Sequence, residues 1–298
     1  MFTGCGTALV TPFQNDSSLD EAALRRLVRR QVDAGVNFLV PCGTTGECPT
    51  LTREERQRVV EITLEEAHGK IPVVAGAGGY DTAEVARVAR EYQQMGVDGI
   101  LSVAPYYNKP TQEGMYQHFR FIAAAVPLPI LLYNVPGRTG VNIEPATVKR
   151  LSAIDNIVGL KEASGNISQM ASILATVPQD FAILSGDDAI TLIFALGGCG
   201  VISVVANEIP VEMAQLCELA LENNFAAARK IHTRYLPLME VNFVESNPIP
   251  VKAAMAQMGL LQPVWRLPLL APGAASMKRI DSVLELLGLN QKVYAAGN

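Results

Sequence analysis

The chain reads as an α/β protein: a (β/α)8 TIM barrel with a small C-terminal helical extension. Three observations carry that expectation. Eight short apolar runs, β-branched and nearly continuous, recur along residues 1–224. Such runs mark strands buried on both faces of a parallel sheet. Helical patterns with readable ends separate them, as an alternating β/α order requires. A quasi-repeat, "DAGVNFLV" (33–40) and "QMGVDGIL" (94–101), marks the helix-to-strand turns. Gly35 and Gly96 suit the left-handed position that stops a helix just before a strand. A doubly wound open sheet is the alternative. Against it, no G-x-G-x-x-G follows the first strand, and "GAGG" (76–79) lies after the third without that spacing.

The strands expected in order are "GTALVT" (6–11), "VNFLVP" (36–41), "IPVVAG" (71–76), "VDGILSV" (97–103), "LPILLY" (128–133), "NIVGLK" (156–161), "FAILSG" (181–186) and "GVISVV" (200–205). Between the first two, "RRLVRR" (25–30) spaces Arg25 with Arg29 and Arg26 with Arg30 along one helix that starts near Asp20 and Glu21. It reads as a solvated helix face. Thr52 to Glu55 forms a capping box, followed by an apolar stripe of Val60, Leu64 and Ala67, with Gly69 able to end the helix. Asp81 to Glu84 opens the next helix in the same way. After about residue 224 the strand signal disappears, and helical patterns remain at roughly 224–242, 249–259 and 274–288. "NPIPVK" (247–252) reads as a rigid connector between the first two. The expected division is a catalytic barrel over 1–224 and a C-terminal helical domain over 225–298.

Bulk properties exclude several functions. The 298 residues are 49% hydrophobic and 18% charged, with a net charge of −5, so no general attraction to nucleic acid or an anionic membrane is expected. No apolar run reaches transmembrane length, and no basic segment followed by an apolar one marks a secretory signal. Cys5, Cys42, Cys48, Cys199 and Cys217 are an odd set without CxxC, read as reduced cytosolic thiols. Cys42 and Cys48 read as buried, inert thiols. His68, His118 and His232 lack metal-ligand spacing, so no metal site is expected.

In such a barrel, chemistry belongs at the C-terminal strand ends. There lie "CGTTGE" (42–47), "APYYNKP" (104–110), "YNVPGRTG" (133–140), Lys161 and "SGDD" (185–188). Lys161 alone supports two readings: a lysine that snorkels to solvent or pairs with Glu162, or a desolvated amine able to attack a ketone. Tyr133 ends the adjacent strand and supplies a proton shuttle of the kind imine formation needs, or it is simply a rim residue. "GTTG" offers hydroxyls and free N–H groups to a carboxylate, or a helix cap. Arg138 offers a bidentate carboxylate grip, or a surface salt bridge. Asp187 and Asp188 read as a helix N-cap or loop brace. Glu162 should point to the opposite face of its strand.

Taken together, "GTALVTPF", "GTTGE", "PYYNKP", "YNVPGRTG", "GLKEASG", "SGDD", "GGCGVISV" and "ESNPIPVKAAM" (245–255) resemble the dihydrodipicolinate synthase family over the whole chain. That family lies within the pyruvate-dependent class I aldolase superfamily, which also holds N-acetylneuraminate lyase. The resemblance implies that Lys161 forms an imine with pyruvate, with Thr44 and Thr45 receiving its carboxylate and Gly186 and Ile202 lining the same pocket. Tyr133 would shuttle protons with Thr44 and with Tyr107, which in the family reaches into a neighbouring subunit. The enamine would attack L-aspartate 4-semialdehyde held by Arg138. The resemblance implies a cytoplasmic homo-oligomer, usually a tetramer built from dimers, with the covalent lysine imine replacing any cofactor. It implies a candidate lysine-effector site at Glu84 and Tyr106. Arg56 and Tyr80 depart from the lysine-sensitive pattern, which has His and Asn there, and Pro49 adjoins them, so weak or absent lysine inhibition is expected. The competing functions are a sibling Schiff-base aldolase and a non-catalytic paralogue that binds pyruvate or lysine.

Overall fold

The computed structural model describes residues 2–290. Eight parallel strands form one sheet in the order β2-β1-β8-β7-β6-β5-β4-β3. They are β1 (Gly4–Ala8), β2 (Phe38–Val40), β3 (Val74–Gly76), β4 (Gly99–Val103), β5 (Ile130–Asn134), β6 (Ile157–Glu162), β7 (Ala182–Ser185) and β8 (Gly200–Ser203). A strand falls on each of the eight expected runs, most of them shorter than expected, with β1 starting two residues early at Gly4 and β6 running on to Glu162. Leu39 N donates to Pro72 O at 2.9 Å and Gly76 N to Pro41 O at 2.9 Å, which joins β2 to β3 and closes the barrel. Closure leaves no strand edge exposed.

Helices alternate with the strands: α1 (Glu21–Asp33), α2 (Arg53–Ala67), α3 (Thr82–Met95), α4 (Gln112–Ala125), the short α5 (Pro136–Thr139), α6 (Pro145–Leu151) and α7 (Ile167–Leu174). A 3-10 segment, Asp188–Leu196, stands between β7 and β8, and α8 (Pro210–Leu221) follows β8. The capping box at Thr52 and Glu55 is complete. That at Asp81 is half formed: Asp81 accepts from Ala83 and Glu84 N–H, but the Glu84 carboxylate turns to Arg87. His68 takes the left-handed cap of α2, with its N–H on Leu64 O, and Gly69 follows it in the left-handed region. The "RRLVRR" run is less solvated than its charge suggests. Arg25 and Arg29 clamp Glu66 of α2, whose side chain is only 10% exposed, so these charges brace two helices.

The core has two layers. Inside the barrel, Phe38, Val40, Leu101, Leu131, Tyr133, Leu184 and Ile202 pack together. A larger cluster fills the space between strands and helices. The C-terminal helices are α9 (Phe225–Val241), α10 (Ile249–Gln257) and α11 (Ala274–Leu287). "NPIPVK" is therefore not a connector throughout. Asn247 and Pro248 precede α10, and Ile249 to Lys252 form its first turn, where Pro is tolerated because the N–H it lacks has no intrahelical partner. Val251 and Met255 of α10 pack on Val10 and Val204, just past the ends of β1 and β8. The C-terminal segment thereby lies against the mouth of the barrel where the strand ends converge.

Candidate active site

The strand that carries Lys161 contains an irregularity that decides where the lysine points. Ile130 pairs with Ile157, but Leu131 pairs with Gly159, so β6 holds one extra residue against β5. A bulge of this kind shifts side-chain parity. Ile157 and Leu160, three apart, both join the outer cluster. Lys161 is thereby turned to the barrel interior and Glu162 outward. From there the register is regular, and Tyr133 faces Lys161 directly.

The Lys161 Nζ sits 4.5 Å from the centroid of the Tyr133 ring. The two residues are 5% and 7% exposed. Burial lowers the lysine pKa to about 8; the nearby carboxylate of Asp188 opposes that shift and the Arg138 cation reinforces it. Burial also raises the Tyr133 pKa, against the pull of Arg138 and of the neighbouring Thr44 hydroxyl. Lys161 does not pair with Glu162, which turns to the opposite face of the strand as expected. Glu162 is fully buried on the other face, where its carboxylate accepts from Asn134 Nδ2 at 2.9 Å and Ser164 N at 2.7 Å.

The other expected residues converge on one mouth, with exceptions. Thr44, Tyr133 and Arg138 line a cavity of ≈ 260 Å³. Thr45 is buried, and its Oγ1 accepts from Asn247 Nδ2 at 2.9 Å. Gly186 abuts the lysine stem: a Cβ there would lie 3.1 Å from Lys161 Cε. Ile202 is fully buried beside Tyr133 in the barrel interior. Arg138 rides on α5 and donates from Nη2 to Asn247 O at 3.0 Å. Asp187 caps the 3-10 segment, and Asp188 Oδ2 accepts from Val204 and Val205 N–H at 2.9 Å, so both are braces. Tyr107 is not brought to this site within the chain: it is 88% exposed on the loop after β4.

The same cavity is also lined by Cys42, Cys48, Pro49, Arg56 and Tyr106. Tyr80 packs edge-on against Tyr106, with centroids 5.3 Å apart. Glu84 is held by Arg87. Burial pushes the Cys42 and Cys48 thiols above their usual range. Among the described residues no group of three or more His, Cys, Asp or Glu could hold a metal, and no helix is long and apolar enough to cross a membrane.

Two features escaped sequence reasoning. Asn247 touches both Thr45 and Arg138. Lys252 is fully buried in an ion pair with the equally buried Glu47, two residues beyond Thr45. The signal was present: a lysine inside the apolar stretch "IPVKAAM" calls for a buried partner.

Comparison with known proteins agrees with this geometry. The model of the dihydrodipicolinate synthetase family matches residues 1–286. The 4-hydroxy-tetrahydrodipicolinate synthase of Koribacter versatilis is 51% identical, over 98% of this chain and 98% of that protein. The dihydrodipicolinate synthase structure from Thermotoga maritima superposes with a TM-score of 0.95 at 45% identity, covering 97% of this chain and 99% of that one. The chloride-inhibited dihydrodipicolinate synthase from Acinetobacter baumannii, solved with pyruvate, gives 0.95 at 39% identity over 97% and 100%. With a family match running nearly end to end and a relative half identical along almost its whole length, the chain belongs to the dihydrodipicolinate synthetase family.

Proposed function

We propose that this chain is a lyase that condenses pyruvate with L-aspartate 4-semialdehyde through a Schiff base on Lys161, the committed step toward diaminopimelate and L-lysine. The observation that carries the reading is a buried lysine, with its pKa lowered to about 8, facing a buried tyrosine in the barrel mouth. At pH 7 about a tenth of such lysines are neutral, some hundreds of times the fraction for an ordinary lysine, which makes the amine a nucleophile. Lys161 attacks the keto carbon of pyruvate, and the carbinolamine oxygen takes a proton from Tyr133 and leaves as water. Thr44 relays protons to Tyr133, while Thr45, Gly186 and Ile202 shape the pyruvate end. Loss of a methyl proton from the imine gives an enamine, which attacks the aldehyde of the second substrate. Arg138 holds that substrate's carboxylate. The substrate amine then displaces Lys161 by transimination, which closes the ring and frees the enzyme.

No metal or organic cofactor enters, because the protonated imine is itself the electron sink. Tyr107, exposed in the single chain, supports a homo-oligomer, a dimer or a tetramer of two dimers, in which this residue completes a neighbour's proton relay. The net negative charge and the reduced thiols support a cytoplasmic setting. The helices from residue 225 onward form the C-terminal domain, and the Glu84 and Tyr106 surface is where an L-lysine effector would bind. The test is borohydride reduction in the presence of pyruvate. A pyruvate-derived mass on Lys161 is expected, and its absence would sink the Schiff base. A coupled assay with aspartate semialdehyde then separates the synthase from a sibling aldolase.

A further inference from the structure

We infer that Asn247, from the C-terminal segment, is a positioning residue that sets the hydrogen-bond polarity of both groups that receive substrate carboxylates. The inference rests on the proposed function and adds a residue to it. Asn247 is 5% exposed and makes two contacts of different kinds. Its side-chain Nδ2 donates to Thr45 Oγ1 at 2.9 Å, and its main-chain oxygen accepts from Arg138 Nη2 at 3.0 Å.

A threonine hydroxyl has one proton to give and lone pairs to receive with. Where an amide N–H occupies a lone pair of Thr45, the hydroxyl proton is left for another acceptor. A carboxylate is acceptor-only, so a hydroxyl held in the donor sense is matched to it. The second contact acts likewise on the guanidinium. One Nη2 proton of Arg138 is fixed on a main-chain carbonyl, which fixes the plane of the fork and leaves its other donors for a ligand. One residue therefore ties two donors that come from different strand ends, after β2 and after β5.

A buried ion pair anchors this arrangement. Lys252 lies in the first turn of α10, five residues beyond Asn247, and Glu47 lies two residues beyond Thr45. Their pair, with both side chains 0% exposed, joins the same two segments as the Asn247 to Thr45 bond. The Lys252 ammonium also stacks on Phe13 at 4.4 Å from the ring centroid, and the Arg266 N–H adds a bond to Glu47. The C-terminal segment is thus part of the wall that aims the substrate groups.

The opposite amide orientation would reverse the assignment, with Thr45 donating to Oδ1. Substitution separates the two. Steady-state kinetics should compare Asn247→Ala, the isosteric Asn247→Asp, Thr45→Val and the double variant Asn247→Ala/Thr45→Val. Loss of the donor in Asn247→Ala should raise KM for pyruvate about tenfold with a smaller change in kcat. Asn247→Asp, whose carboxylate captures the Thr45 proton, should raise it further, to about a hundredfold, although its shape is unchanged. The double variant should be no worse than Thr45→Val, since the two act as one unit.

An Asn247→Asp enzyme with a wild-type KM overturns the inference, as does additivity in the double variant. A fall in Tm with KM unchanged, the mark of a purely structural residue, also overturns it. Borohydride trapping at saturating pyruvate should still label Lys161 in every variant. Its failure in the wild type would instead remove the Schiff-base reading, so the two failures are distinguishable.

Discussion

Tyr133 and Lys161 are register partners on β5 and β6, and the lysine nitrogen stands 4.5 Å from the tyrosine ring centroid. An aromatic face close to a buried amine tolerates both its charged and its neutral form. The phenol at the ring's edge can also reach a group that is bonded to the amine. Removing only that hydroxyl in Tyr133→Phe keeps the packing and deletes the proposed proton donor. The variant should lose about 10²- to 10⁴-fold in kcat, the usual worth of general acid–base catalysis, and retain its melting temperature. Stopped-flow imine formation should slow in parallel. A variant within threefold of wild type would show that another group moves the proton.

The lysine pKa of about 8, against an ordinary 10.5, fixes a pH dependence. The rate of imine trapping with pyruvate should rise with pH and level off above about pH 8. A limb still rising at pH 10 would mean that the amine is not desolvated when it reacts.

The same shift has a stability consequence. Between pH 8 and 10.5 the unfolded chain holds a proton on this lysine that the folded chain has lost, so stability rises with pH across that window. Below pH 8 the fold carries the full cost of a buried ammonium, roughly 3 kcal/mol. Lys161→Met should therefore abolish trapping and raise the stability of the protein at pH 7, as read by denaturant unfolding. A destabilised Lys161→Met would show that the charge is compensated in the fold.

Gly186 leaves room for the lysine stem. A Cβ there would lie 3.1 Å from Lys161 Cε and 2.6 Å from Ala163 Cβ. Gly186→Ala should cost about 1–3 kcal/mol through overpacking and displace the amine, so borohydride labelling should fall well before folding is lost. Labelling at the wild-type rate would mean that the loop moves aside.

Removing Lys252 leaves Glu47 buried without its paired ammonium, with the Arg266 N–H still bonded to it. Breaking such a pair costs roughly 3–5 kcal/mol, while replacing both partners costs less. Lys252→Met should thus unfold at markedly lower urea than wild type, and Lys252→Met/Glu47→Gln should recover part of the loss. Recovery of none would indicate that Glu47 is held chiefly by Arg266.

The barrel was legible in the sequence because its signals are local: a strand of five apolar residues, or a Thr-to-Glu capping box, declares itself within a few positions. Lys161, Tyr133, Thr44 and Arg138 were legible because barrel topology sends strand ends to one rim. What escaped depends on distance along the chain or on a single inserted residue. Asn247 meets Thr45 across 202 positions, and Lys252 meets Glu47 across 205. No periodicity encodes such pairs. The bulge near Val158 is likewise invisible to alternation, although it turns Lys161 inward.

Arg56 bears on regulation. It lines the cavity with Cys48, Pro49 and Tyr106, and its buried Nε has no hydrogen-bond partner. Glu84, the carboxylate that would attract an ammonium effector, is already held by Arg87. A cationic ligand side chain entering here meets the Arg56 guanidinium and a carboxylate that already acts on Arg87 and, through space, on Arg56. Like charges at close range cost affinity even where water screens them. L-Lysine should therefore inhibit the purified enzyme weakly or not at all. Arg56→His, smaller and largely neutral at pH 8, should lower the inhibitory lysine concentration about tenfold or more. Sub-millimolar inhibition of the unaltered enzyme would overturn this reading of Arg56. Unchanged sensitivity in Arg56→His would move the cause to Tyr80 or Pro49, which adjoin the same surface.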